Sequence, residues 1–285
     1  MKIVRLLAAV LLTACGPTPP QTVDTRPLVV ATTTMVADLA AQIGGADIRL
    51  AALMGPGVDP HLYKPGASDA QKLSQAKVVL FSGLHLEGRM ADMLEKRGVA
   101  VTVGIPSAEL LLNDGHPDPH VWGDAQLWSH CIDPVVEALS AAHPAQKAAF
   151  TERGAQLKTT YATLHAWAKS EIAKIPASQR ILITSHDAFA YFGRAYGLQV
   201  VGVQGISTVS EAGLADVAQA VDFIKAKAVK AIFVESSVPH ATIERIAQDS
   251  GAKIGGELFS DALGENQTYE QMLRANVSRI VEALK

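Results

Sequence analysis

Cysteine is nearly missing from this sequence: 285 residues carry two, too few for a disulfide framework. Aromatic residues are scarce at 5%, which argues against an aromatic-rich β-sandwich and for α/β packing of Ala, Val, Leu and Ile. Positive charge is not in excess. A net charge of −3 and a pI of about 6.3 exclude a surface built to coat nucleic acid. Several chemical signatures are also absent. The sequence has no H-E-x-x-H, no C-x-x-C pair, no EF-hand loop, no G-x-S-x-G and no Walker A phosphate loop. What is present is apolar bulk: 48% hydrophobic against 19% charged residues. That is enough for a sizeable core and excludes a wholly disordered chain. The length suits one large domain or two medium ones.

The first residues read as an address. In MKIVRLLAAVLLTAC, Lys2 and Arg5 are followed by an apolar stretch over 6–12, too short to cross a bilayer as a helix. Leu12-Thr13-Ala14-Cys15 then resembles the bacterial lipobox, in which the cysteine is diacylated and becomes the mature N-terminus. An ordinary signal peptide with a chance cysteine is the other reading. With lipid on Cys15, Cys131 is the only thiol left, in a segment of helical apolar spacing that predicts a buried, inert group. Residues 16–27, GPTPPQTVDTRP, lack an apolar period and read as a solvated tether.

Beyond the tether the chain alternates. Strand-like runs at 28–33, 48–53, 77–82 and 99–103 are interleaved with helical patterns at 35–43, 67–75 and 87–96. A second half follows the same plan, with strands at 180–184, 199–203, 231–235 and 253–255 and helices near 188–196, 211–226, 240–249 and 269–284. Such alternation implies parallel sheets. Between the halves, Phe150, Leu157, Tyr161, Leu164, Trp167 and Ile172 recur at helical steps. They predict one amphipathic helix over 144–175, roughly 30 residues and about 45 Å long, with Pro144 in its first turn and Pro176 ending it. The expected architecture is an α/β protein of two lobes, each with a four-stranded parallel sheet, joined by one long rigid helix. Its divisions are a signal peptide 1–14, a tether 15–27, a first lobe 28–143, a bridging helix 144–176 and a second lobe 177–285.

Four residues stand where an open α/β sheet places ligands, beyond the carboxyl ends of strands. His61 lies in GVDPHLYKP, His120 in HPDPHVWGD, His186 after the strand ILIT, and Asp261 in ELFSDALG. Three neutral imidazoles and one carboxylate make a donor set for a divalent transition metal. The triplet Asp-Pro-His occurs twice, at 59–61 and 118–120. Proline fixes its own φ and keeps the preceding Asp extended, so each His is presented by a stiff turn. His130, His143, His165 and His240 read as surface or packing residues; His85 follows a strand and could lie near the site but is left out of the set, and His116 reads as solvated, although it could assist metal capture. Protonation of the imidazoles is expected to oppose metal as pH falls through roughly 6.5.

The stretches GVDPHLYKPGASD, SGLHLEG, DPHVWGD, TSHDAFAYFGRAYGL, GISTVSEAGLADV, AIFVESSVPHATI and GGELFSDALG resemble the cluster 9, or TroA-like, metal-binding receptors of bacterial ABC importers. The resemblance covers nearly the whole chain after the tether. It implies two α/β lobes bridged by a long helix, with metal between the lobes held by two ligands from each: His61, His120, His186 and Asp261. It implies a non-enzymatic, monomeric, lipid-anchored receptor in the cell envelope, capturing zinc or manganese for a permease with a separate ATPase subunit. Family members dedicated to manganese often carry Glu at the third position, where this chain has His186. Zinc-dedicated members often carry a long His- and Asp-rich loop before the second ligand, here only residues 113–118. The N₃O set favours zinc over manganese. The rival readings are a secreted zinc hydrolase, with Glu235 or Glu257 as nominal base, and an adhesin.

Overall fold

The computed structural model describes residues 24–285. The leader, Cys15 and most of the tether lie outside them. Strand β1 (Leu28–Ala31), helix α1 (Thr34–Gly44), β2 (Arg49–Ala52), α2 (Ala67–Gln75), β3 (Val78–Phe81), α3 (Ala91–Arg97) and β4 (Val99–Ala100) build the first lobe. Its parallel sheet runs β2-β1-β3-β4. β1 is central because Val29, Val30 and Ala31 are all apolar and fully buried, as a strand covered on both faces must be. The crevice where the strand order reverses is filled by Glu87. Its carboxylate accepts the Thr32 hydroxyl at 2.7 Å and the Ser82 and Gly83 amides at 2.6 and 3.2 Å. Burial raises its pKa and these donors oppose the rise.

A short antiparallel hairpin, β5 (Leu112–Asn113) and β6 (His116–Pro117), precedes α4 (Ala125–Trp128) and α5 (Ile132–Ala142). After a 3₁₀ turn at Pro144–Gln146 comes α6, Lys147–Ile172. This is the predicted long helix, begun three residues later than Pro144 and 26 residues long. Its buried face is Phe150, Gly154, Leu157, Tyr161, Leu164, Ala168 and Ile172, an apolar stripe at steps of three and four. It packs on α1, α4 and α5 of the first lobe.

The second lobe contains β7 (Ile181–His186), α7 (Ala190–Tyr196), β8 (Gln199–Gln204), α8 (Leu214–Lys227), β9 (Ala231–Glu235), α9 (Ala241–Ser250), β10 (Lys253–Leu258) and α10 (Tyr269–Leu284). Here the four strands form two parallel pairs, β7 with β8 and β9 with β10, lying side by side where β7 meets β9. At their C-terminal ends a side chain joins the pairs: the His186 amide donates to Glu235 Oε1 at 2.9 Å. Helices α7 and α10 of the second lobe also pack on α6. Tyr161 of α6 meets Tyr269 of α10 with ring centroids 4.9 Å apart, and Trp128 of α4 meets the same tyrosine at 6.2 Å. One continuous apolar core therefore runs from the first lobe through the helix into the second. A hinge between the lobes would have to break that core, which is the physical content of calling the helix rigid. Cys131 is fully buried within it, and burial pushes its thiol well above the usual range.

Candidate metal centre

The structure brings His61, His120, His186 and Asp261 together, with one ligand atom from each lying within 4.8 Å of the others. His61 and His120 come from the first lobe, His186 and Asp261 from the second. The Nε2 atoms of His61 and His120 are 3.3 Å apart. Asp261 turns one oxygen to each of two rings, Oδ1 at 3.4 Å from His120 Nε2 and Oδ2 at 3.2 Å from His186 Nε2. All four residues are buried.

Each segment that carries one of these four residues has a local cause. In both Asp-Pro-His triplets the aspartate accepts the amide of the histidine two residues on: Asp59 Oδ1 from His61 at 2.8 Å, Asp118 Oδ1 from His120 at 2.9 Å. This is the aspartate-capped turn that short acidic side chains favour, and proline stiffens it. Tyr63, just beyond His61, donates to Asp69 at the start of α2 at 2.8 Å. Gly88, at φ +37°, lies beneath His61, where a Cβ would sit 3.1 Å from the His61 carbonyl oxygen. His186 is the last residue of β7, paired with Gln204 of β8, and not a residue of the following loop. Asp261 follows β10 on a loop held by Trp122, whose Nε1 donates to the Ser260 carbonyl at 2.7 Å.

Two further carboxylates orient the rings. Asp118 Oδ1 lies 2.8 Å from His120 Nδ1, and Glu235 Oε2 lies 2.6 Å from His186 Nδ1. A ring whose Nδ1 faces a carboxylate presents Nε2 to the centre, which is how metal-binding histidines are commonly fixed. Burial acts against charge on all three rings. At His61 it prevails, and the pKa falls to about 4. At His120 burial is outweighed by hydrogen bonds and charge from Asp118 and Asp261, which lift the ring to about 9. At His186 burial is likewise outweighed by Asp261 and Glu235, and the pKa stands well above the usual imidazole value. Asp261 is held well below the carboxylate range in spite of its burial, chiefly by His186 and then His120.

The other histidines stand outside this cluster. His85 and His116 are exposed, His116 on the β5–β6 hairpin. His165 pairs with Asp124 at 3.0 Å, and His240 with Glu257 at 3.5 Å. The orienting roles of Asp118 and Glu235 are absent from the sequence reading. The one local sign for Glu235 is a charge ending the otherwise apolar strand AIFVE.

The family model described as zinc-uptake complex component A, periplasmic (ZnuA), matches residues 29–283. The chain is 44% identical to the manganese-binding lipoprotein MntA of Bacillus subtilis (strain 168), over 98% of this chain and 99% of that protein. It is 43% identical to the zinc-binding protein TroA of Treponema pallidum (strain Nichols), over 92% of this chain and 90% of that one. A solved structure of the periplasmic zinc-binding protein TroA from Treponema pallidum matches with a TM-score of 0.88 and 41% identity, covering 91% of this chain and 99% of that one. Likeness that extends over both lobes and the helix between them leaves one conclusion: the chain belongs to the TroA/MntA-like family of periplasmic metal-binding proteins, the substrate-binding components of bacterial ABC importers.

Proposed function

We propose that His61, His120, His186 and Asp261 hold one divalent transition-metal ion, which this chain captures in the cell envelope and hands to the importer's permease. The observation that carries the reading is the convergence of three imidazoles and one carboxylate from two lobes on one buried point. Zinc is the favoured cargo. Three borderline-soft nitrogens and one oxygen suit its tetrahedral preference, and zinc stands above manganese in intrinsic affinity. Manganese is the second reading, because both oxygens of Asp261 face the centre and a bidentate carboxylate would raise the coordination number. The names of the relatives above divide between the two metals. Protein purified without added metal, analysed for metal content and then titrated competitively, tests the assignment. One ion per chain with zinc displacing manganese is expected. Two ions per chain, or manganese displacing zinc at equal concentration, would overturn it.

A hydrolase is not supported. Members of this family are transport proteins without catalytic activity, and Glu235 is engaged by His186 on both carboxylate oxygens. Lipoprotein attachment in the envelope is typical of the family. We assign the anchor here to Cys15, after a signal peptide 1–14 and before a tether 15–27, with lobes at 28–143 and 177–285 flanking the helical segment 144–176. The Cys15→Ser variant is expected to leave the membrane fraction and to take up no labelled fatty acid. Wild-type protein that fails to label, together with a variant that stays membrane-bound, would sink this assignment.

A further inference from the structure

The four proposed donors are not equally enclosed. His120 and His186 are 0% exposed and Asp261 1%, whereas His61 is 6% exposed. Of the four, His61 is therefore the one nearest solvent. Residues 205–213, an irregular segment between β8 and α8, reach the first lobe on that side. Ser207, Val209 and Ser210 are exposed, yet Thr208 between them is 7% exposed. It makes a hydrogen bond across the lobe junction: Thr208 Oγ1 donates to Asp59 Oδ2 at 2.5 Å. The other oxygen of the same carboxylate accepts the His61 amide at 2.8 Å. One aspartate thus ties the loop of the second lobe to a donor residue of the first.

We infer that Thr208 and Asp59 are positioning residues that strap the 205–213 loop over the His61 side of the centre and slow the escape of bound metal. The inference rests on the reading of His61 as a ligand. Other bonds across the junction include two at residues of the shared core. Tyr269 at the start of α10 donates to the Trp122 carbonyl at 2.7 Å, and the Leu263 amide donates to Thr34 at the start of α1 at 2.7 Å. Those contacts are maintained by the shared core. The 205–213 loop has no such support: among the described residues, Thr208–Asp59 is the only hydrogen bond joining it to the first lobe. Removing the hydroxyl should free the loop without moving a ligand.

Two variants of the full chain separate this role from general damage. Thr208→Val keeps the shape and loses the donor; Thr208→Ser keeps the donor. Zinc release would be followed by stopped-flow capture with excess chelator, and the metal's coordination by X-ray absorption. Release about tenfold faster in Thr208→Val, and within about twofold of wild type in Thr208→Ser, is the size expected for one hydrogen bond to a charged acceptor. The nitrogen and oxygen shell and the melting temperature of the metal-free protein should be unchanged in both. Equal rates in wild type and Thr208→Val, equally fast release from both variants, or an altered shell in Thr208→Val would overturn the strap while the metal site stands. A wild-type shell without three nitrogens would remove the site reading, and the strap with it.

Discussion

Zinc affinity in the His186→Ala variant is expected to fall by roughly two orders of magnitude or more. Four protein donors in a closed zinc site share about 10–16 kcal/mol at neutral pH, so each carries roughly 3 kcal/mol, about a hundredfold in affinity. His186 is the most consequential choice because its loss is felt beyond the missing nitrogen. Glu235 is fully buried and lies 2.6 Å from His186 Nδ1. Without the ring, one oxygen of that carboxylate is stranded, and a buried charge without its partner is costly. Asp261 loses its nearer ring as well, at 3.2 Å, and retains His120 at 3.4 Å. Glu235→Gln should do less, about ten- to a hundredfold, because the ring remains and only its orienting partner is weakened. His116→Ala, on the exposed hairpin, should bind as wild type. Competition against a chromophoric chelator measures all three. Wild-type affinity in His186→Ala, or an equal loss in His116→Ala, would remove the assignment of His186 as a ligand.

The same residues show how far the sequence can be read. The long helix is legible because its buried side chains from Phe150 to Ile172 fall on one stripe. Helix α10 is legible from end to end because Thr268 and Gln271 cap it reciprocally, each side chain meeting the other's amide at 3.3 and 2.9 Å. The fourth strand of the first lobe is not legible in this way. The pattern predicts 99–103, but β4 stops at Ala100 and the chain turns into a 3₁₀ segment, Val101–Gly104. Tertiary packing decides this: Gly104 lies so close to the His130 carbonyl that a Cβ would overlap it. The Asp-Pro-His triplets signal the site because their effect is local, an aspartate capping the histidine two residues on. Glu235 and Thr208 have no comparable signal. They act on His186 and Asp59 across separations of 49 and 149 residues, distances that only the folded chain closes.

Proton release on zinc binding depends on such long-range partners, and the structure moves it well away from the value expected of free imidazoles. At neutral pH close to two protons should leave the protein for each zinc bound. In the metal-free protein His120 titrates at about 9 and His186 well above the usual imidazole value, so both rings carry a proton at pH 7. His61, lowered to about 4 by burial, carries none and does not compete. Two imidazolium protons bear the same charge as one divalent ion. Exchanging them leaves the formal charge of the pocket unchanged. The pH dependence has a definite sign. A ring whose folded pKa is raised stabilises the metal-free fold below the unfolded value of about 6.5 and loses that contribution as pH rises through the folded one, about 9 for His120. Affinity for zinc moves oppositely, rising from pH 6 toward 9 as the competing protons are lost. A thousandfold excess of ligand over Kd adds about 4 kcal/mol, or roughly 10 °C in melting temperature for a chain of this size. At a fixed zinc concentration the increment should therefore be larger at pH 8 than at pH 6. Calorimetric titration in buffers of different ionisation enthalpy gives the proton count directly. A count near zero at pH 7, with affinity flat between pH 7 and 9, would show that the rings are neutral before metal arrives and that the carboxylates serve only to aim them.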